Sequence, residues 1–289
     1  MDKKIEIKRL CIYLILSFGL TWIIFSFFIF TGFKWDGSNP YMESFAALGM
    51  LMPFLAHILT RLITKEGFPI TGKDSLMLGI SFKNKKWKYY LFALLIPWLY
   101  FEIMMLLSLI FVPEAFDVTL LKELGYGNEI AYIFPLVTIV SCTILSFAAL
   151  GEEGGWRGYM MPKLIKIIGM PKAIIIGGII WGLWHAPITC IGHNFGTDYF
   201  GFPYLGILIM CIQCTLIGIM LTFITIKSES IWPAAIMHAV NNGNPTILKF
   251  FFNAEIFEKS FPGPLMAYTL LMIPMLIIDI IILTSEGRG

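Results

Sequence analysis

The chain has 289 residues, of which 57% are hydrophobic and 14% are charged, with a formal net charge of +2. Since a soluble domain carries about 25% charged residues, this composition excludes an ordinary soluble protein and indicates a membrane protein. The small net charge, without a basic patch of interleaved aromatic residues, also excludes a nucleic-acid-binding protein.

Eight continuous apolar runs follow one another along the chain. Each approaches or exceeds the ~20 residues that a helix needs to cross ~30 Å of hydrocarbon. None alternates with a period of two, so helices are expected rather than a barrel. The sequence therefore predicts an all-α, polytopic membrane protein with about eight transmembrane helices, forming a single domain over residues 1–289. The runs cover residues 10–31, 44–63, 89–112, 130–152, 172–192, 205–226, 231–252 and 264–283.

The distribution of positive charge predicts the orientation. With the N-terminus in the cytoplasm, 17 of the 21 Lys and Arg residues fall in cytoplasmic segments, which favours both termini inside. The first run is longer than a signal-peptide core and is followed by no cleavage site, so it is expected to be an uncleaved helix. The Lys- and Ile-rich composition suggests a bacterial cell membrane, with lipids as partners.

The fourth run ends in two adjacent acids, Glu152 and Glu153. Glu153 and Arg157 are spaced i, i+4 in the favourable order for a helical ion pair, which leaves Glu152 for chemistry. Gly154 and Gly155 follow directly, and because glycine is a poor helix former we expect a loosened helix end that admits water and substrate. The alternative is that both acids are ordinary interfacial charges.

The fifth run contains His185 and, one helical turn earlier, Trp181, which is expected to wall a site on the same face. The alternative for His185 is a hydrogen bond to a backbone carbonyl. In the sixth run, Cys211 and Cys214 form a C-x-x-C pair. Without a second pair, packing in the helix is favoured over zinc or redox chemistry.

The seventh run carries His238 and Asn242, which project from one helix face at i, i+4 spacing. Three separate runs thus place polar groups in the middle or the cytoplasmic half of the membrane. Ionisable groups are costly in hydrocarbon and mark functional sites. The positions are Glu152-Glu153-x-x-x-Arg157, then His185, then His238-x-x-x-Asn242.

These three motifs resemble those of the CAAX-protease and bacteriocin-processing (CPBP, or ABI) family of intramembrane glutamate-dependent proteases, which includes the Rce1-like enzymes. The motif-bearing core covers about 130–252, and the eight-helix layout of the family fits the whole chain. The family commonly has Phe four residues before the histidine of its second motif. Trp181 stands there in this chain and keeps an aromatic wall of greater volume.

The resemblance implies an endopeptidase without a cofactor. Glu152 would be the general base, His185 would help to hold and activate a water, and His238 and Asn242 would stabilise the oxyanion, with Glu153, Arg157 and Trp181 as structural support. The substrate would be a membrane-associated or lipidated peptide, with prenyl-CAAX cleavage as the related activity. The site would open towards the cytoplasm or the lipid. The sequence gives no indication of the oligomeric state.

Three alternatives remain open. Glu and two His could hold a catalytic zinc, although no H-E-x-x-H motif is present. The chain could be a non-catalytic membrane protein of the bacteriocin-immunity type. It could also be an ion-coupled transporter that uses Glu102 and Asp279, two acids in other apolar runs.

Overall fold

A computed structural model describes residues 3–35, 41–72, 74–123, 125, 127–144, 146–260 and 264–286. These residues form helices joined by short irregular segments, and their only β-type pairing is one isolated bridge, between Phe116 and Phe252. The helices are α1 (Lys3–Phe30), α2 (Met42–Thr64), α3 (Trp87–Phe111), α4 (Leu120–Glu123), α5 (Glu129–Ile144), α6 (Phe147–Gly155), α7 (Met161–Ile168), α8 (Met170–Trp184), α9 (Ala186–Thr189), α10 (Tyr204–Ser228), α11 (Trp232–Gly243), α12 (Ala254–Ser260) and α13 (Pro264–Glu286).

The helices confirm an all-helical membrane protein. Four of them, α1, α2, α3 and α10, are long and apolar enough to cross a membrane. A fifth candidate span is the pair formed by α5 and the following helical segment 147–168, which meet at 60°. The described parts of α8 and α13 are apolar but shorter. The predicted eight spans are therefore not confirmed as a count, and the location of both termini in the cytoplasm stays a prediction.

Two predicted runs are interrupted. The fifth run ends as a helix at Trp184, and α9 begins after His185 as a separate short helix. Pro187 lacks the N–H that would continue the hydrogen-bond ladder at this point. The seventh run ends as a helix at Gly243, where Asn244 adopts the left-handed conformation with φ 47°. Both breaks fall next to residues of the predicted site.

Helix α6 packs against α2 backbone to backbone. A Cβ atom added at Gly151 would lie 2.6 Å from the Met50 carbonyl oxygen, and one at Gly155 would lie 2.5 Å from Pro53 Cβ. Only glycine permits this approach, as small residues do at membrane helix interfaces. The expectation of a loosened helix end is wrong. The glycines are buried, and the helix continues through one wide π-helical turn, Trp156–Met160, into α7.

Helices α8 and α10 also approach closely, because Gly178 faces Thr215 and Gly182 faces the backbone of Cys211. All five cysteines are free. Cys211 thus lies in a helix contact, as the packing hypothesis for the C-x-x-C pair expected. Cys214, one turn further, lines a central cavity.

One end of the bundle carries a buried cluster of charges. Lys163 Nζ lies 3.1 Å from Glu6 Oε2 and 2.7 Å from Glu66 Oε2, and Arg9 Nη1 lies 2.8 Å from Glu6 Oε1. The cluster joins the start of α1, the segment after α2, and α7. We call the end of the bundle that holds this ion cluster the basic end.

The Glu66 carboxyl is strongly stabilised as an anion in this cluster. Burial raises its pKa, but hydrogen bonds from Lys163, Tyr159 and Thr64 outweigh burial and lower the pKa to about 2. The carboxylate is therefore charged at every pH at which the protein would normally be handled.

The opposite end of the bundle, which we call the distal end, is formed by the segments after α1 and α9. The Trp35 backbone N–H donates to the Ile191 carbonyl at 2.8 Å, and the Trp35 ring packs edge-on against His193, with ring centroids 4.4 Å apart. Asn244 lies at the same end, since α11 begins at the basic end, where the Ile231 N–H donates to Met77.

Candidate active site

All four predicted catalytic residues line one cavity of about 460 Å³ in the middle of the bundle. They come from three separate stretches of chain, since Glu152 lies on α6, His185 at the α8–α9 junction, and His238 and Asn242 on α11. The structure therefore brings the predicted residues together around one cavity. Trp181 also lines this cavity.

Two tryptophan side chains hold the carboxylate of Glu152, a residue that is only 2% exposed. Its Oε2 atom accepts hydrogen bonds from Trp181 Nε1 at 2.6 Å and from Trp156 Nε1 at 3.3 Å. An indole N–H can only donate, so both contacts favour an acceptor oxygen at this position. They fix the carboxylate by one oxygen and leave Oε1 for a water in the cavity.

The His185 ring is fixed by its own helix. Its Nδ1 atom lies 2.9 Å from the Trp181 carbonyl oxygen, and because a carbonyl only accepts, Nδ1 must carry the proton. In the neutral ring, Nε2 then carries the lone pair. The backbone hydrogen bond that was the alternative for His185 is therefore present, but it uses only Nδ1. Nε2 is left for contacts in the cavity.

Glu153 lies at the centre of an ionic group behind the cavity wall. Its Oε1 atom accepts from Arg157 Nη1 at 3.0 Å and from His238 Nδ1 at 2.8 Å. The Arg157 guanidinium also lies over the Trp181 ring, 4.1 Å from its centroid. Glu153 is fully buried and positions its neighbours, whereas Glu152 contacts the cavity. Since His238 donates from Nδ1, it can donate from Nε2 only as the doubly protonated ring, whose charge the Glu153 carboxylate would balance.

Asn242 is exposed to the cavity at the last turn of α11. Its Oδ1 atom accepts from Asn241 Nδ2 at 3.2 Å, and Asn241 Oδ1 accepts from the Tyr100 hydroxyl at 2.6 Å. This chain of hydrogen bonds orients the Asn242 amide so that its N–H groups are free to donate into the cavity.

Sequence reasoning missed several polar residues of the cavity wall. They are His193, Asn194, Gln213 and Asn244. Gln213 gave a usable signal, since it is an isolated amide inside an apolar run. The others lie near interruptions of helices that the hydropathy pattern does not show.

The two acids that suggested a transport path lie outside this cavity wall. Glu102 Oε1 accepts from Trp98 Nε1 at 2.9 Å and from the Ile247 backbone N–H, so it ties α3 to the segment after α11. Asp279 is buried, and neither carboxyl oxygen has a hydrogen-bond partner among the described residues. Among the residues that the structure describes, no three His, Cys, Asp or Glu side chains are arranged so that they could hold a metal ion.

A second cavity, of about 690 Å³, lies at the basic end, where its lining includes Arg61, Lys163 and Lys166. Arg157 lines this second cavity, whereas Trp181 lines the central one. The stacked guanidinium and indole therefore form the partition between the two spaces.

The chain is similar to known proteins in the region of the site. Residues 130–243 match the family model described as type II CAAX prenyl endopeptidase Rce1-like. The chain is also 26% identical, over 253 residues, to the CAAX prenyl protease 2 of Methanococcus maripaludis, an alignment that covers 86% of this chain and 88% of that protein. The matched segment contains all four cavity residues that the motifs predicted.

Proposed function

We propose that this chain, which belongs to the Rce1-like family, is an intramembrane endopeptidase that hydrolyses a peptide bond with a water activated by Glu152 and His185. The observation that carries the proposal is the convergence of Glu152, His185, His238 and Asn242 on one cavity of about 460 Å³. That volume lies within the roughly 300–1,000 Å³ of ordinary ligand sites. The substrate is a membrane-associated or lipidated peptide, in line with the name of the relative from Methanococcus maripaludis.

In the proposed mechanism, a water is held between Glu152 Oε1 and His185 Nε2. Its proton passes to the Glu152 carboxylate while its oxygen bonds to the carbonyl carbon of the substrate. The C–N bond then breaks, and the leaving amine takes the proton from Glu152. Two indole hydrogen bonds to Oε2 keep the carboxylate in place throughout. General base catalysis of this kind contributes about 10²–10⁴ in rate.

His238 and Asn242 stabilise the negative charge that develops on the carbonyl oxygen. Their spacing along α11 places both on one helix face, and each is positioned from behind, His238 by Glu153 and Asn242 by Asn241. In other hydrolases the loss of one such donor costs about 2.7–4 kcal/mol of transition-state stabilisation.

The proposal is tested by comparing cells that express wild-type protein with cells that express Glu152→Gln. Mass spectrometry of membrane-associated peptides is expected to find uncleaved species that accumulate only with the variant, because the amide cannot take the water proton. The matched control is Glu229→Gln, an exposed acid at the basic end that pairs with Lys86. If the membrane-associated peptides are the same with Glu152→Gln and with wild type at equal protein level, the role of Glu152 is contradicted and the non-catalytic alternatives are favoured.

The zinc alternative gives a different result with a chelator. The proposed mechanism uses no metal, so purified protein dialysed against a strong chelator is expected to keep its peptidase activity. If activity is lost on chelation at unchanged thermal stability, and stoichiometric zinc restores it, the result would contradict the metal-free mechanism and support a zinc mechanism.

A further inference from the structure

The second cavity, of about 690 Å³, lies at the level where several candidate membrane spans end. Residues of α7, of the end of α10 and of the segment after α2 line it. Helix α2 ends at Thr64, α3 begins at Trp87 and α10 ends at Ser228, all at the basic end. Because a membrane helix ends where the hydrocarbon gives way to lipid headgroups, this cavity lies at the depth of the headgroups.

The inner wall of the second cavity is basic. Three cations, Arg61, Arg157 and Lys163, line it, and each is at most 4% exposed. The acids among its described lining residues, Asp74 and Glu229, are exposed and lie at the rim. In the part of the chain that the structure describes, the buried wall of this cavity therefore carries positive charge only.

The Arg61 guanidinium is held by neutral acceptors. It donates to His57 Nε2 at 2.7 Å, to the carbonyl oxygens of Gly67 at 2.9 Å and Ser75 at 3.1 Å, and to the carbonyl oxygen of Asp74. A His57 nitrogen that accepts from a guanidinium carries a lone pair, so this ring is not a cation. These contacts fix the guanidinium but bring no negative charge to it. Because a buried charge is costly unless it is paired, an anion in the cavity would stabilise Arg61.

The other two buried cations keep unused hydrogen-bond donors. Arg157 Nη1 donates to Glu153, whereas Arg157 Nε is buried without a hydrogen-bond partner among the described residues. The Lys163 ammonium has three N–H donors, and Glu6 and Glu66 accept two of them. A phosphate group offers several anionic oxygens and forms strong hydrogen bonds with such donors. The wall is therefore suited to a ligand with a phosphate group.

The outer part of the wall is apolar and exposed to the surroundings of the bundle. Met170 and Ile226 line the cavity and are 38% and 42% exposed, and Met161 and Ile165 extend its apolar lining. Inorganic phosphate would use only the basic wall. A phospholipid uses both walls, since its phosphate meets the cations while its acyl chains pass Met170 and Ile226. A choline headgroup would bring a further cation to a basic wall, so a lipid with net negative charge fits better.

We propose that the second cavity binds the headgroup of an anionic glycerophospholipid. The bound phosphate also acts on the central cavity, because the Arg157 guanidinium lies 4.1 Å from the centroid of the Trp181 ring. Trp181 Nε1 in turn donates to Glu152 Oε2 at 2.6 Å. An anion that fixes Arg157 thus fixes the indole that positions the Glu152 carboxylate. Lipid binding needs no peptidase chemistry, and only this effect on Glu152 rests on the proposed function.

Native mass spectrometry of the purified full-length chain in detergent tests the site. The chain is titrated with short-chain phosphatidylglycerol, with phosphatidylcholine of the same chain length, and with inorganic phosphate. We expect one phosphatidylglycerol per chain, bound at least about fivefold more tightly than phosphatidylcholine, and no binding of inorganic phosphate at the same concentrations. Equal affinity for the two lipids would overturn the proposal. Equally tight binding of inorganic phosphate would assign the cavity to a free anion instead.

A variant at the rim locates the lipid without disturbing the contacts of Arg61. Lys166 lines the cavity with an exposed side chain, and Lys166→Glu reverses its charge. The matched control is Lys88→Glu, at an exposed lysine of α3 that is not among the described lining residues. Lys166→Glu is expected to weaken phosphatidylglycerol binding by about fivefold or more, and Lys88→Glu to leave it unchanged. Unchanged binding by Lys166→Glu would rule out this cavity, and thermal unfolding without lipid confirms that both variants are folded.

Peptide cleavage in lipid nanodiscs tests the effect on the central cavity. For wild type and Lys88→Glu, kcat is expected to be higher in nanodiscs that contain phosphatidylglycerol than in phosphatidylcholine alone, and the increase should be smaller for Lys166→Glu. Lipid binding with the same kcat in both nanodiscs would overturn the link through Arg157 and Trp181. Lipid binding without cleavage under any condition would contradict the proposed function instead, so the two failures are distinguishable.

Discussion

Two adjacent carboxylates lie in different chemical surroundings, and this difference separates their proposed roles. Glu152 accepts hydrogen bonds from two neutral indoles and contacts the cavity, whereas Glu153 accepts from Arg157 and His238 and is fully buried. Neighbouring residues on a helix point about 100° apart, so a single turn of α6 supplies both a group for chemistry and a group that positions His238.

Substitutions of the two acids are therefore expected to differ in their effect on protein stability as well as on activity. Glu153→Ala leaves the Arg157 charge buried without a partner and should cost about 3–5 kcal/mol of unfolding free energy. Glu152→Gln keeps an oxygen that can accept the indole hydrogen bonds and should cost about 1 kcal/mol or less. Unfolding in detergent measures both, and equal losses would contradict the separation of roles.

At the residue scale, the sequence predicted which side chains would meet but not how they are held. The i, i+4 rule was sufficient to predict the Glu153–Arg157 pair, because both residues lie on neighbouring turns. The hydrogen bond from Tyr100 to Asn241 joins residues 141 positions apart, and that from Trp181 to Glu152 depends on where the fold places α8 relative to α6. Local patterns carry no information on such contacts.

At the scale of elements, the glycines of α6 that pack against α2, Gly151 and Gly155, fix the position of the proposed base, Glu152. Gly155→Ala would place a methyl group 2.5 Å from Pro53 Cβ, so α6 must move away from α2. Overpacking of this kind costs about 1–3 kcal/mol, and peptidase activity should fall with it because Glu152 moves too. Thermal unfolding and peptide cleavage measured on the same sample test this.

The control is Gly19→Ala in α1, where an added Cβ meets nothing within 4 Å. Alanine favours the helix over glycine by up to about 1 kcal/mol, so this variant should be as stable as wild type or slightly more stable. A loss at Gly19→Ala equal to that at Gly155→Ala would show that close helix packing is not the cause.

The course of the helices was predicted better than their ends. Continuous hydropathy located α2, α3 and α10 to within about two residues of the predicted runs, whereas α1 begins at Lys3, seven residues before the predicted run. It did not show the end of α8 at Trp184 or the end of α11 at Gly243, because a long averaging window spans a short break such as the one at His185 or at Asn244. The site lies at these interruptions, where hydropathy gives no signal.

Over the whole molecule, the ion cluster closes the basic end and should make stability depend on pH. Glu66 has a pKa of about 2 in the fold, against an ordinary 4.5, so its stabilisation is complete above the ordinary value and is lost as the pH falls to about 2. Glu66→Gln is therefore expected to lower unfolding free energy by about 3 kcal/mol at pH 7.

The difference between wild type and Glu66→Gln should shrink as the pH falls below about 4.5. Thermal unfolding of the detergent-solubilised protein between pH 7 and pH 3 measures it, with Glu229→Gln as the exposed control. A surface pair such as Lys86–Glu229 contributes at most about 1 kcal/mol. A difference that stays constant over the whole pH range would show that the Glu66 charge is not what stabilises the cluster.

The most direct test of the central claim uses purified protein in lipid nanodiscs and a peptide identified by the cellular comparison. The rate of cleavage by wild type is compared with that by Glu152→Gln, with thermal unfolding of both recorded. We predict a loss of at least about 100-fold in kcat/KM at unchanged stability, as expected for removal of a general base. Cleavage by Glu152→Gln at the wild-type rate would contradict the assignment of Glu152 as the group that activates water.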